Sequence, residues 1–266
     1  MTEIAPAVFT IPPGWSFVDA LARGMMERAG GDPMALSRPL VLLPTRRACR
    51  ALRDAFLRLS EGRPLLLPRM WALGEPDEDE AVLQGDLELP PAMPPLRRQL
   101  LLARLVMALG GGTSPEQAAQ LAGELGHLLD QVRTEGLEFD GLEKLVPAEF
   151  AEHWQKTLDF LRILTHHWPL IVEQDGCMDG SLRRLRLLEA QAASWDSHPP
   201  AQPVIAAGST GSIPATAALL AVVARLPGGA VVLPGLDTWA DDDSWAAVEP
   251  GHPQHNLKTL LDRIAI

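Results

Sequence analysis

The chain has 266 residues, of which 47% are hydrophobic and 21% are charged, a composition typical of a soluble globular protein. Its formal net charge of −11 argues against an autonomous DNA-binding domain, because such domains usually carry basic residues that neutralise phosphates. No apolar run is long enough to span a bilayer and the first residues lack the pattern of a secretory signal, so the sequence predicts a cytoplasmic protein without a membrane partner. The two cysteines, Cys49 and Cys177, predict reduced thiols and not a disulfide framework.

The first 95 residues alternate between strand and helix patterns, as in an α/β domain. The apolar segment Ala7–Ile11 predicts a first strand, which ends at the prolines and glycine that follow it. Ser16 is placed to cap the next helix, with Asp19 in the position where a capping box has a longer acid. We therefore expect a strand, a tight turn and a helix in direct succession.

A second strand and helix follow in the same segment. The continuous apolar run Pro39–Leu43 predicts a strand buried on both faces, as in a parallel sheet, and Thr45 begins the next helix. Helical periodicity gives that helix an apolar and a basic side. The apolar set is Ala48, Leu52, Ala55, Phe56 and Leu59, and the basic set is Arg46, Arg50 and Arg53. A third short strand is predicted at Leu65–Leu67.

Residues 96–196 are predicted to form an all-helical block between two proline-rich segments, Leu89–Pro95 and Ser197–Pro203. The clearest helix start within the block is at Ser114, because Gln117 completes a capping box there. A later apolar stripe at helical spacing predicts another core helix. It consists of Phe150, Trp154, Leu158, Leu161 and Leu164.

The last segment, residues 197–266, returns to the α/β pattern. Val204–Ala207 and Ala230–Leu233 predict strands, separated by the small-residue loop Gly208–Ser212 and a helix over Pro214–Leu226. Parallel strands joined by helices form a sheet that is covered on both faces. We therefore expect the first and last segments to be two parts of one mostly parallel sheet, into which the helical block is inserted.

The turn after the first predicted strand is where a nucleotide-binding α/β domain would hold phosphate. A functional phosphate-binding loop supplies glycines for close backbone approach, a lysine for the outer phosphates and a hydroxyl for Mg²⁺. This turn reads Pro12, Pro13, Gly14, Trp15 and Ser16. It has one glycine and no lysine, and its two prolines lack donor N–H groups. The sequence therefore predicts a degenerate nucleotide site without ATP hydrolysis and without catalytic residues.

The start of the basic helix is the candidate DNA-contacting segment. Thr45 offers a hydroxyl, the first helical N–H groups point outwards, and Arg46, Arg47 and Arg50 add positive charge. These groups suit the phosphates of a DNA backbone. The alternative interpretation is a capped amphipathic helix whose basic face is simply solvated.

Two further segments have compositions that can bind ions. The loop Gly208–Ser212 is either an anion-binding nest or an ordinary tight turn between strand and helix. The acidic run Glu75–Glu80 is either a solvated loop or a divalent-metal site, and we interpret it as solvated. The adjacent His166 and His167 point to different faces of a helix, so no metal site is predicted.

Together these features resemble the first motor domain of a superfamily 1 helicase whose motifs have eroded. The resemblance places Pro12–Ser16 at the phosphate-binding loop and residues 42–53 at a motif that touches single-stranded DNA. It places Ala207, Gly208 and Ser209 at the strand end where the family has its Mg²⁺-binding Asp-Glu pair. The implied fold is a P-loop-NTPase-like, mostly parallel sheet with an inserted all-helical subdomain.

Four segments resemble more specifically the AddB family of the alphaproteobacterial type. They are residues 8–14, 42–50, 94–101 and 207–216. AddB is the non-motor subunit of the AddAB helicase–nuclease, which processes DNA double-strand breaks for homologous recombination. The resemblance implies that this chain is an N-terminal fragment of such a subunit, with an inactivated helicase fold that takes part in scanning DNA for recombination hotspots.

The same resemblance implies partners and the absence of cofactors. The expected partners are the AddA motor subunit and DNA ends, with single-stranded DNA passing through the full complex, an ATP-dependent helicase–exonuclease. The family's iron–sulfur cluster and nuclease metal belong to its C-terminal part, so none is expected in this chain. Two alternatives stay open: an active ATP-dependent DNA helicase or NTPase domain, and a stand-alone protein-interaction domain.

Overall fold

The computed structural model describes residues 5–74, 89–108, 113–137 and 160–266. Contacts divide the chain into two compact units. One comprises Met1–Asp86 and Leu187–Ile266 and contains the sheet, and the other comprises Leu87–Arg186 and is helical where it is described. The sequence places the inserted subdomain at residues 96–196, and the helical unit runs from Leu87 to Arg186.

In the described residues, five parallel strands form one sheet. They are β1 (Val8–Ile11), β2 (Leu40–Leu43), β3 (Arg69–Ala72), β4 (Val204–Ala207) and β5 (Gly229–Pro234). Their order is β1-β5-β4-β2-β3, so both parts of the α/β pattern contribute to the same sheet. Phe9 is the register partner of Val232, and Leu42 that of Ala206. The expected α/β architecture with a parallel sheet is therefore confirmed.

The third strand is not where the sequence prediction placed it. The segment Leu65–Leu67 is irregular, and β3 begins at Arg69 instead. Pro64 and Pro68 flank the three leucines, and a proline provides no N–H for a strand ladder and restricts the residue before it. Leu65 and Leu67 are partly buried against the core. The hydropathy of this segment therefore reflects packing and not strand pairing.

The described helices are as follows, in chain order. They are α1 (Phe17–Ala29), α2 (Pro33–Ser37), α3 (Arg46–Leu59), α4 (Pro95–Ala108), α5 (Pro115–Thr134), α6 (Trp168–Gln174), α7 (Gly180–Ser197), α8 (Pro214–Arg225), α9 (Asp242–Ala246) and α10 (His255–Ile264). A π-helical turn, Ile163–His167, leads directly into α6. None of the helices in the described parts of the chain is both long enough and apolar enough to cross a membrane.

Helices cover both faces of the sheet because its connections run in opposite directions. The chain passes from β1 to β2 and on to β3 towards one edge, and from β4 to β5 towards the other. Right-handed crossovers then place α1 and α3 on one face and α8 on the opposite face. On the first face the core joins apolar residues of β2, β3 and β4 to the two helices. Its buried members include Val41, Leu43, Ala72 and Ala207 from strands and Leu21, Met25, Leu52 and Phe56 from helices.

The helical unit is organised around a buried carboxylate. Asp179 has no exposed surface, accepts a hydrogen bond from Trp168 Nε1 at 2.6 Å and pairs with Arg98 Nε at 2.9 Å and Arg133 Nη1 at 3.0 Å. The predicted start of α5 is confirmed, because Ser114 forms a complete capping box. Phe150, Trp154 and Leu158 of the predicted apolar stripe lie outside the described residues.

Candidate functional site

The carboxyl ends of the parallel strands meet at one edge of the sheet, and the predicted site segments lie there. The connection after β4 leaves towards β5, whereas the connection after β2 leaves towards β3. Neighbouring strands whose connections diverge in this way form the crevice in which open α/β sheets usually bind ligands. The residues at this point are Pro44 after β2 and Gly208 after β4.

Gly208 brings three predicted segments together. A Cβ atom on Gly208 would lie 3.2 Å from Cε1 of Phe17 and 3.8 Å from Cδ of Pro44. Its φ of +76° is in the left-handed region, which glycine adopts without the strain that a Cβ would cause. The start of α1 directly after the β1 turn, the Pro-Thr turn after β2 and the end of β4 therefore lie next to one another, with no room for a larger side chain at Gly208.

The turn after β1 is exposed and uses its one hydroxyl internally. Pro12, Pro13, Gly14, Trp15 and Ser16 are all exposed, and the prolines donate no hydrogen bonds. Gly14 has a φ of +92°. This backbone offers a phosphate fewer N–H donors than a glycine-rich loop of the same length.

The shortened capping box predicted for α1 is wrong. Ser16 is the N-cap residue, but its Oγ donates to Asp19 Oδ2 at 2.6 Å and accepts no helical N–H. Asp19 also pairs with Arg58 Nη2. Hydrogen bonds from Ser16 and Arg58 hold the pKa of the Asp19 carboxyl below its usual range.

Phe17 occupies the junction between the start of α1 and the end of β4. It is the first residue of α1 and half-buried, and its ring faces Gly208. An aromatic ring offers neither a positive charge nor an N–H donor to a phosphate. The junction is therefore apolar, which sequence reasoning missed because a phenylalanine at the start of a helix looks like an ordinary core residue.

The three positions predicted as a degenerate Mg²⁺ motif carry no carboxylate. Ala207 is buried in the core, Gly208 contacts Phe17, and Ser209 Oγ accepts a hydrogen bond from Gly211 N at 3.3 Å. Among the described residues, no group of three or more histidine, cysteine, aspartate or glutamate side chains could hold a metal ion. The acidic run Glu75–Glu80 lies outside those residues.

Two backbone donors of the loop after β4 are used within the fold. Gly208 N donates to Val232 O at 2.9 Å, and Gly211 N donates to the Ser209 hydroxyl. The helix that follows begins with Pro214, which has no N–H. These contacts account for Gly208 N and Gly211 N, and both interpretations of the loop, a tight turn and an anion nest, stay predictions.

The Pro-Thr turn after β2 presents the start of α3. Thr45 is the N-cap residue, as predicted, and its Oγ1 accepts a hydrogen bond from Ala48 N at 3.1 Å. Arg46 is half-buried, whereas Arg47 and Arg50 are exposed. The four predicted DNA-contacting residues thus lie on the first turns of one helix, beside the crevice formed by Pro44 and Gly208.

Helix α3 is locally basic although the chain is acidic. It contains five arginines and one aspartate, and its opposite side is buried in the core through Cys49, Leu52, Ala55 and Phe56. Arg58 pairs with Asp19, while Arg47, Arg50 and Arg53 are exposed. Helix α3 therefore carries a positive surface, which begins at the carboxyl edge of the sheet with Arg46, Arg47 and Arg50, although the chain as a whole is acidic.

The turn after β5 lies against the turn after β1. Thr10 Oγ1 accepts from Leu236 N at 3.0 Å, and Gly235 N donates to Ile11 O at 2.9 Å. A Cβ on Gly235 would lie 3.9 Å from Pro13, so the two turns are neighbours. The β1 turn is thus braced by the β5 turn, a contact that involves residues more than 200 positions apart.

No protein-family profile matches the sequence, and no curated protein is significantly similar to it. The chemistry of the residues at the carboxyl edge therefore supplies the argument for function.

Proposed function

We propose that this chain is a helicase-like α/β domain that has lost nucleotide chemistry and contacts DNA within a double-strand-break repair helicase–nuclease. In this proposal the fold is of the P-loop-NTPase type, related to superfamily 1 helicases. The chain corresponds to the N-terminal part of an AddB-type subunit that acts in DNA-end processing and hotspot scanning.

The contact of Gly208 with Phe17 and Pro44 is the observation that carries the proposal. It joins the three segments in which such helicases have their phosphate loop, their DNA-contacting motif and their Mg²⁺ ligands. The residues at these positions are apolar or lack charge, apart from the arginines of α3. This combination favours a nucleotide site replaced by packing, beside a retained basic surface.

The sheet supports the proposal at a coarser level. Five parallel strands with helices on both faces are compatible with a P-loop-like fold, and the candidate segments follow β1, β2 and β4. In open sheets of this kind, ligands bind beyond the carboxyl ends of the strands. The surface proposed for DNA lies at that edge.

The proposed partner is an AddA-type motor subunit in the cytoplasm, and no cofactor is assigned to this chain. These assignments follow from the sequence resemblance. Co-expression with a tagged motor subunit is expected to retain this chain on the affinity resin through a high-salt wash. Recovery of the motor subunit without this chain would contradict the partnership.

The DNA contact is tested with single-stranded oligothymidine and the 266-residue chain, by fluorescence anisotropy over a range of salt concentrations. The change is Arg47→Ala with Arg50→Ala. Each phosphate contact contributes about −0.7 to the slope of log affinity against log salt for single strands, so loss of both should flatten the slope by ~1.4. The charge-matched control is Arg23→Ala with Arg38→Ala, two exposed arginines outside α3.

Equal slopes for both double variants would mean that α3 is only a solvated basic surface, as in the interaction-domain alternative.

The active-NTPase alternative is tested by calorimetry with ATP and Mg²⁺. We expect no binding heat at micromolar protein. Micromolar affinity that disappears in Ser16→Ala would establish the alternative and remove the proposal of an inactive site.

A further inference from the structure

Trp239 is the most exposed large apolar side chain in the described part of the protein. It is 94% exposed, compared with 66% for Trp15 on the neighbouring turn. Tryptophan is enriched among the residues that contribute most of the binding energy in protein interfaces. Trp239 contributes nothing to the core, so a role in binding explains its position better than a role in packing.

The loop that carries Trp239 is held in place by hydrogen bonds. We call residues Gly235–Asp243 the Trp239 loop. Trp239 N donates to Asp237 Oδ1 at 2.9 Å, and Asp237 N donates to Gln254 Oε1 at 3.1 Å. Gln254 Nε2 in turn donates to Gly235 O at 3.0 Å. A partner would therefore meet an ordered backbone, which lowers the entropy lost on binding.

The sequence around Trp239 is acidic. Between Gly229 and Gln254 the sequence has no lysine or arginine. Its acidic residues are Asp237, Asp241, Asp242, Asp243 and Glu249. Asp242 and Asp243 are exposed and form no ion pair with any described residue.

The nearest lysine along the chain does not neutralise these carboxylates. Lys258 Nζ donates to the carbonyl oxygens of Trp245 and Ala246 at 2.8 and 2.9 Å, where it caps the end of α9. Lys258 therefore leaves the exposed carboxylates of Asp242 and Asp243 able to pair with an external cation.

We infer that the Trp239 loop docks an arginine-bearing segment of a partner protein. A guanidinium stacks on the indole face while its N–H groups donate to the carboxylates of Asp242 or Asp243. Arginine fits better than lysine, because its planar group can do both at once. The negative charge of the loop repels DNA phosphates and also the same loop of a second copy of this chain. This inference is independent of the proposed DNA contact at α3.

The test uses the 266-residue chain and a fluorescein-labelled peptide of alternating arginine and glycine, with anisotropy as the readout. The control peptide has citrulline in place of arginine, which keeps the size and removes the charge. We expect Trp239→Ala to weaken arginine-peptide binding roughly fivefold, whereas Trp15→Ala leaves it unchanged. The exposure of Trp239 means that its loss should not affect folding, which circular dichroism checks.

A charge series separates a local contact from attraction to an acidic protein. Asp242→Asn with Asp243→Asn should weaken binding by a similar factor. Glu27→Gln with Glu61→Gln, the same charge change at exposed positions elsewhere in the α/β unit, should change it less than about twofold.

Four results would overturn the inference. Equal losses in the two charge variants would indicate general electrostatics, and equal affinity for the citrulline peptide would exclude a guanidinium contact. Oligothymidine binding that depends on Trp239 would identify a surface for nucleic acid instead. Sedimentation that shows self-association abolished by Trp239→Ala would identify a second copy as the occupant.

Discussion

Replacing Asp179 with asparagine removes a negative charge from the interior of the helical unit while preserving the side-chain shape. The carboxylate of Asp179 has no exposed surface and has three partners, namely Trp168 Nε1, Arg98 Nε and Arg133 Nη1, at 2.6, 2.9 and 3.0 Å. Asparagine offers one neutral oxygen and one NH₂ group, which faces the guanidinium donors unfavourably. The substitution thus leaves two partly buried guanidinium groups without a negative charge at that position.

The expected loss of stability follows from the burial of Asp179 and from the hydrogen bonds that Arg98 keeps after the substitution. Removing one member of a buried ion pair costs about 3–5 kcal/mol. Arg98 keeps two hydrogen bonds to Asp130, at 2.8 and 3.0 Å, which reduces the loss. We therefore expect the free energy of unfolding of the helical unit to fall by ~3 kcal/mol, near the lower end of that range.

The assay is urea unfolding followed by circular dichroism and by tryptophan fluorescence, to which Trp168 contributes as one of seven tryptophans. Asp175→Asn is a matched control, because Asp175 also forms two hydrogen bonds to an arginine, Arg97, at 2.7 and 3.0 Å. That pair is exposed, so water screens it and its loss should be much smaller. A loss for Asp179→Asn below about 1 kcal/mol, or no larger than that of the control, would refute the reasoning.

Two further predictions concern the crevice and acid stability. Gly208→Ala should lower the free energy of unfolding by roughly 1–3 kcal/mol, because it adds backbone strain and a contact with Phe17. The control is Gly30→Ala, because Gly30 has a similar φ but open space where a Cβ would lie, so this variant should lose less stability. Equal losses of stability for the two variants in thermal melts would contradict the contact with Phe17. Burial alone would raise the pKa of Asp130, but hydrogen bonds, chiefly from Arg98, hold it below its usual range. Because the pKa of Asp130 is lower in the folded than in the unfolded state, its carboxylate stabilises the fold at neutral pH, and this stabilisation is lost as the pH falls below about 4. The urea midpoint of Asp130→Asn should therefore depend less on pH in that acidic region than the midpoint of the unchanged protein.

Local sequence patterns predicted only part of the candidate site. The missing N–H donors of Pro12 and Pro13, the cap at Thr45 and the missing carboxylate at Ala207 can be predicted from the sequence, because each depends on the type of residue or on near neighbours. The apolar contact between Phe17 and Gly208 is not, since the two residues are far apart in the chain and meet only when β1 and β4 enter one sheet.

Local chemistry within a few residues was sufficient for several elements. The strand Val204–Ala207 and the helix starts at Thr45 and Ser114 were predicted correctly, because strand hydropathy and N-cap hydrogen bonds involve near neighbours. The predicted side-chain cap at Ser16 was wrong, because its hydroxyl donates to the carboxylate of Asp19, which also pairs with the distant Arg58, and accepts no helical N–H.

Tertiary structure alone decided the strand order, the buried ion cluster and the display of Trp239. Hydropathy indicates that β1 is a strand, but not that β5 lies between it and β4. Asp179 and Trp239 each look like ordinary residues in the sequence, and packing buries the first completely and leaves the second 94% exposed. Burial depends on which distant segments meet, and a periodic pattern carries no information about its partner.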